Sequence, residues 1–68
     1  MKNEELIALR KYRYFTQEKL AKALGLSRYY VWLMENHGHI PSNKVIERMA
    51  IVLDVSEAKI KKILKIKK

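Results

Sequence analysis

The chain of 68 residues has room for one domain and one small core. It holds no cysteine, so no disulfide and no thiolate-bound metal can stabilise it, and no apolar run nears the roughly 20 residues that a bilayer span needs. A net charge of +8 favours a polyanionic partner, of which nucleic acid is the commonest.

The charge is uneven. Residues 1–56 carry nine Lys/Arg against six Asp/Glu, whereas residues 57–68 carry six Lys against one Glu. The N-terminus places charges inside its apolar positions, unlike a signal peptide, so the expected location is cytoplasmic. No strand signal and no internal repeat is present, and five helices are expected.

Residues 3–13 read as the first helix. Asn3 can cap it, and Glu4 and Glu5 fall in its positive first turn. Leu6, Leu9, Arg10 and Arg13 share one side at helical spacing, with the arginine stems lying over the core. Phe15 is the expected anchor of the following connection.

Residues 16–36, TQEKLAKALGLSRYYVWLMEN, read as two short helices joined by a tight turn. Thr16 caps the helix 17–24, whose Leu20, Ala21 and Leu24 form one apolar stripe. Gly25 stops it by entering the left-handed region, and Leu26 fills the turn. Ser27 caps the helix 28–36, with Val31 and Met34 on the inner side. At about 100° per residue, Arg28, Tyr29, Trp32 and Leu33 group on the outer side. Helix, glycine turn, apolar residue, serine cap and helix make the pattern of a helix-turn-helix.

A loop follows at 37–41, closed by Pro41. Its His37 and His39 flank Gly38, and a His-x-His pair can ligate a metal. The loop offers no Cys, Asp or Glu to complete a site, so exposed histidines are the expectation. Ser42 caps the helix 43–53, with a stripe of Val45, Ile46, Met49, Ala50, Val52 and Leu53. Val55 fills the next turn, Ser56 caps again, and a lysine-rich helix is expected over 57–68. Its Ile60, Ile63 and Leu64 form a seam. The lysines read as a solvated face, as non-specific phosphate contacts, or as part of a surface lying on a membrane; the seam could also pair with a twin chain.

TQEKLA, then LGLS, then EN at 35–36 resemble the helix-turn-helix family of phage repressors and Cro proteins. LR at 9–10, FTQ at 15–17, PS at 41–42 and MAIVLDVS at 49–56 also fall where that family has equivalents, so the likeness runs from about Leu6 to about Ile63. It implies an all-α, compact, five-helix lambda-repressor-like domain over 1–68 that binds double-stranded DNA and regulates transcription as a repressor. It also implies a DNA-facing set of Gln17, Ser27, Arg28, Tyr29, Trp32, Leu33 and Asn36. Gln17 and Asn36 would touch phosphate, and helix 28–36 would enter the major groove. Arg10 and Glu35 match a partly buried ion pair. No catalysis, cofactor or metal is implied, and a homodimer formed through the C-terminal region is a second expectation.

Three glycines of the family pattern are replaced. Tyr14 stands at one, where positive φ would be strained, so that turn is expected to differ. His37 stands at the second, with Gly38 one residue later, so the cap after 36 is expected to be rearranged. Asp54 stands at the third and tolerates the left-handed region. The outer face of Tyr, Trp and Leu is unusually apolar for a groove reader. It leaves two other readings: Trp32 folded back onto the preceding helix as core, or a face that binds a protein partner.

Overall fold

A computed structural model describes residues 2–66, which form α1 (Glu4–Tyr12), α2 (Gln17–Leu24), α3 (Arg28–Asn36), α4 (Asn43–Leu53) and α5 (Glu57–Ile63). Each helix starts at a short polar side chain that accepts a hydrogen bond from the backbone N–H three residues on. Asn3 accepts from Leu6, Thr16 from Lys19, Ser27 from Tyr30, Ser42 from Val45 and Ser56 from Lys59, at 3.0 to 3.4 Å. First-turn N–H groups lack intrahelical partners, and each such cap is worth about 1 kcal/mol.

The helix ends share a second device. Tyr14, Gly25, Asp54 and Lys65 all take left-handed backbone, with φ of 64°, 72°, 58° and 61°. After each comes an apolar residue whose N–H reaches back five positions: Phe15 to the Arg10 carbonyl, Leu26 to Ala21, Val55 to Ala50 and Ile66 to Lys61. All four apolar side chains then pack on the core. This is the Schellman arrangement with its hydrophobic contact.

Two expectations fail here. The turn at Tyr14 does not differ: the tyrosine adopts the glycine-like conformation, with its side chain 91% exposed so that the ring meets nothing. The helix expected over 57–68 ends at Ile63, because Lys65 turns left-handed and Ile66 folds back onto the core. Lys67 and Lys68 of that expectation, and Met1, lie outside the described residues. The end of α3 is rearranged as expected, with His37 non-helical at φ −126° and Gly38 left-handed at φ 67°.

Leu6, Leu20, Val31, Met34, Ile46, Met49, Leu53 and Ile60 are buried to 2% exposure or less and draw every helix into one cluster. Each such side chain contributes about 1.5–3 kcal/mol of burial. Ile63 and Leu64 join them, so the α5 seam is spent inside the chain and is not free to pair with a twin. Among the described residues, no helix is long and apolar enough to cross a membrane.

A polar network sits among α1, α2 and α3. Arg10 donates from Nε to Glu35 Oε2 at 2.6 Å and from a terminal nitrogen to Oε1 at 3.3 Å. Its other terminal nitrogen donates to the Phe15 carbonyl at 2.8 Å. Gln17 Nε2 adds a bond to Glu35 Oε1 at 3.0 Å. Glu35 is 1% exposed, and paired guanidinium and carboxylate of this depth persist only when their remaining lone pairs and protons are satisfied. Asn3 closes the bundle nearby. Its backbone N–H donates to the Glu35 carbonyl, and its side-chain amide donates to the Ile63 carbonyl.

Two stability outcomes follow from these contacts. Tyr14→Gly should stabilise the chain by roughly 0.5–1 kcal/mol, since relief of left-handed strain exceeds the entropy that glycine adds to the unfolded chain. A urea midpoint at or below the parent's would show that Tyr14 is not held left-handed. Arg10→Met or Glu35→Leu alone should each cost about 3–5 kcal/mol by stranding the other charge, while the double variant regains most of it. A thermodynamic cycle from urea unfolding measures the coupling, and a value near zero would mean that the charges act separately.

Candidate nucleic-acid interface

The amphipathic pattern of α3 decides what it presents. Val31, Met34 and Glu35 are buried, which turns Arg28, Tyr29 and Trp32 to solvent and leaves Leu33 and Asn36 half-buried. Tyr29 is 64% exposed and Trp32 38%. Their rings stack at 5.8 Å between centroids and 14° between planes. The spacing of three residues brings them onto neighbouring turns of one strip. Trp32 therefore does not fold back onto α2 as core, because Tyr29 holds it on the outer face.

The aromatic strip continues into the next loop. The His37 ring lies 4.9 Å from Trp32, and the His39 ring meets Tyr30 edge-on at 4.9 Å. Both histidines are exposed, as expected for loop residues. Their packing on aromatic rings was missed; the signal for it was their place just past a helix rich in aromatic side chains.

At the start of α2, Thr16 Oγ1 caps the Lys19 N–H. The N–H groups of Gln17 and Glu18 lie in the same first turn, where helical geometry gives them no partner and the dipole favours an anion. They border an open hollow that Lys11, Thr16 and Arg28 also line. Gln17 is half-buried, and one hydrogen of its side-chain amide is committed to Glu35. That commitment was not foreseen in the sequence, because it depends on where α3 ends.

Arg28 belongs to two hollows at once. One is the hollow at the start of α2, and the other is lined by Arg28, Tyr29 and Trp32. Ser27 is spent on the Tyr30 N–H as the cap of α3. The Asn36 amide donates to the Trp32 carbonyl at 3.1 Å and secures the last turn. The fold thus brings Gln17, Ser27, Arg28, Tyr29 and Trp32 to one side of the molecule around the junction of α2 and α3. Leu33 and Asn36 continue the α3 strip toward the loop.

The surface combines a helix start, one exposed guanidinium and a pair of stacked rings. A family model described as a helix-turn-helix domain matches residues 4–62. The chain is also similar to the "ImmF control region 10 kDa protein" of Bacillus phage phi105, at 41% identity over 46 residues. That match covers 68% of this chain but only 51% of the relative, about half its length. Five helices with matching caps, an α2–turn–α3 unit with Gly25 at its corner, and a family match across nearly the whole chain agree: the chain belongs to the helix-turn-helix domain family, in its phage-repressor type.

Proposed function

We propose that the chain binds specific sites on double-stranded DNA and regulates transcription, acting as a repressor in the cytoplasm where that DNA lies. The carrying observation is the outward presentation of Arg28 and of the stacked Tyr29 and Trp32 beside the open start of α2. In this reading α3 enters the major groove. Arg28 donates two hydrogen bonds to guanine O6 and N7, and Trp32 and Leu33 lie against base edges and sugars. The start of α2 and Asn36 meet phosphates. Regulation is steric, since the bound protein occupies sequence that polymerase needs. The name of the phage relative, which places it in a control region, accords with such a role. If the protein acts as a dimer, the contact must use a surface other than the α5 seam, which is buried.

The exposed Tyr29–Trp32 stack favours one competing reading, a module that docks a protein partner through α3. Fluorescence anisotropy with selected and random duplexes at several salt concentrations separates the two. For a DNA reader, Arg28→Ala should cost about 1–3 kcal/mol on the preferred duplex and relax one base position. Affinity for any duplex should fall steeply as salt rises. Binding that is weak, sequence-blind and indifferent to Arg28 would sink the regulator and leave the protein-docking module.

A further inference from the structure

The hollow beside Arg28 has a composition that a phosphate or sugar contact does not require. It is lined by one guanidinium and two aromatic rings, and the rings stand nearly parallel on consecutive turns. In the major groove, the one apolar group on any base edge is the methyl on C5 of a pyrimidine. Arginine's preferred base there is guanine. Successive bases of one strand stand about 3.4 Å apart along the axis, so the C5 edge of the pyrimidine on the 5′ side lies next to an arginine placed on guanine.

We propose that α3 reads a two-base step, a C5-methylated pyrimidine followed by guanine. Arg28 holds the guanine, and the methyl group enters the hollow between Arg28, Tyr29 and Trp32. This rests on the reading of α3 as the helix that enters the groove.

Three features support the assignment. Arg28 and Trp32 are four residues apart and Tyr29 and Trp32 three, so all three side chains occupy one strip of the helix. Tyr29 stacks on Trp32, and the tilted His37 ring also packs against Trp32, so the wall is in place before DNA arrives. Arg28 lies at the N-terminal end of α3, the end from which helices of this kind reach base edges. A methyl group leaving water for such a wall gains about fourfold in affinity by ordinary apolar transfer. Thymine and 5-methylcytosine carry the same group, and the hollow takes it from either.

The test uses the full chain and a duplex chosen by selection from random sequence, which should be enriched in thymine–guanine steps. Four versions of that duplex differ only at the pyrimidine of the step: thymine, deoxyuridine, cytosine and 5-methylcytosine. Binding is read by anisotropy for the parent, Trp32→Ala and Tyr29→Ala. Circular dichroism checks that the variants fold, which their exposed positions favour.

Thymine should bind about fourfold tighter than deoxyuridine, 5-methylcytosine tighter than cytosine by a similar factor, and both ratios should shrink toward one in the variants. A ratio in one pair alone, lost in the variants, still supports the hollow and identifies its source of methyl. Ratios of one in both pairs, with affinity still dependent on salt and Arg28, would overturn the methyl site and spare the regulator. A chain that selects no sequence at all overturns both together.

Discussion

The carboxylate of Glu35 is the point on which the arrangement of this chain depends. It lies in the last turn of α3, at 1% exposure, and takes bonds from Arg10 of α1 and Gln17 of α2. Arg10 in turn binds the Phe15 carbonyl in the connection between those helices. A buried charge of this kind adds little net stability, since the cost of leaving water offsets the attraction. Its effect is on geometry: three bonds, two from Arg10 and one from Gln17, fix the placement of α3 against the first turn of α2. Those are the two elements that the proposed function brings to DNA, so the network sets the register between base contacts and phosphate contacts. Asn3 extends the constraint by tying α1 to the carbonyls of Glu35 and Ile63, which links the ends of α3 and α5.

Much of the frame was legible because its causes are local. A serine, threonine or asparagine followed three residues later by an unpaired N–H caps a helix whatever lies elsewhere, and all five starts were read from Asn3, Thr16, Ser27, Ser42 and Ser56. The ends were harder. Gly25 marks its turn by its own freedom, but Tyr14 and Lys65 take the same backbone without that freedom. There the driving force comes from the next residue: Phe15 and Ile66 gain core contact only if the chain reverses, and that burial outweighs a strain of about 1–2 kcal/mol. A reading that looks for glycine sees the permissive residue and overlooks the apolar residue that drives the turn.

The candidate site could be proposed as a set of positions but not as a set of partners. Periodicity identifies which side of α5 is apolar but not what covers it; Ile60, Ile63 and Leu64 turned out to be covered by the chain itself. Likewise the position of Gln17 at a helix start was plain, while its bond to a residue eighteen positions away depends on the tertiary fold. The packing of the tilted His37 ring on Trp32 belongs to the same class.

Charge and aromatic surface are separated in this molecule, and the separation bears on how it would find a site. Along α3 the charged residues are Arg28, which is exposed, and Glu35, which is buried and neutralised by Arg10. The lysine excess lies after residue 57, where Lys61 and Lys62 also complement the negative end of the α5 dipole. Attraction to any duplex would therefore come mostly from outside α3, while α3 contributes one guanidinium and apolar rings. Apolar contacts and a bidentate guanidinium weaken little with salt, whereas released counterions carry most of the salt dependence. Under the proposed function, a helix built this way would discriminate by shape and by methyl groups at short range, and would leave long-range capture to the lysines.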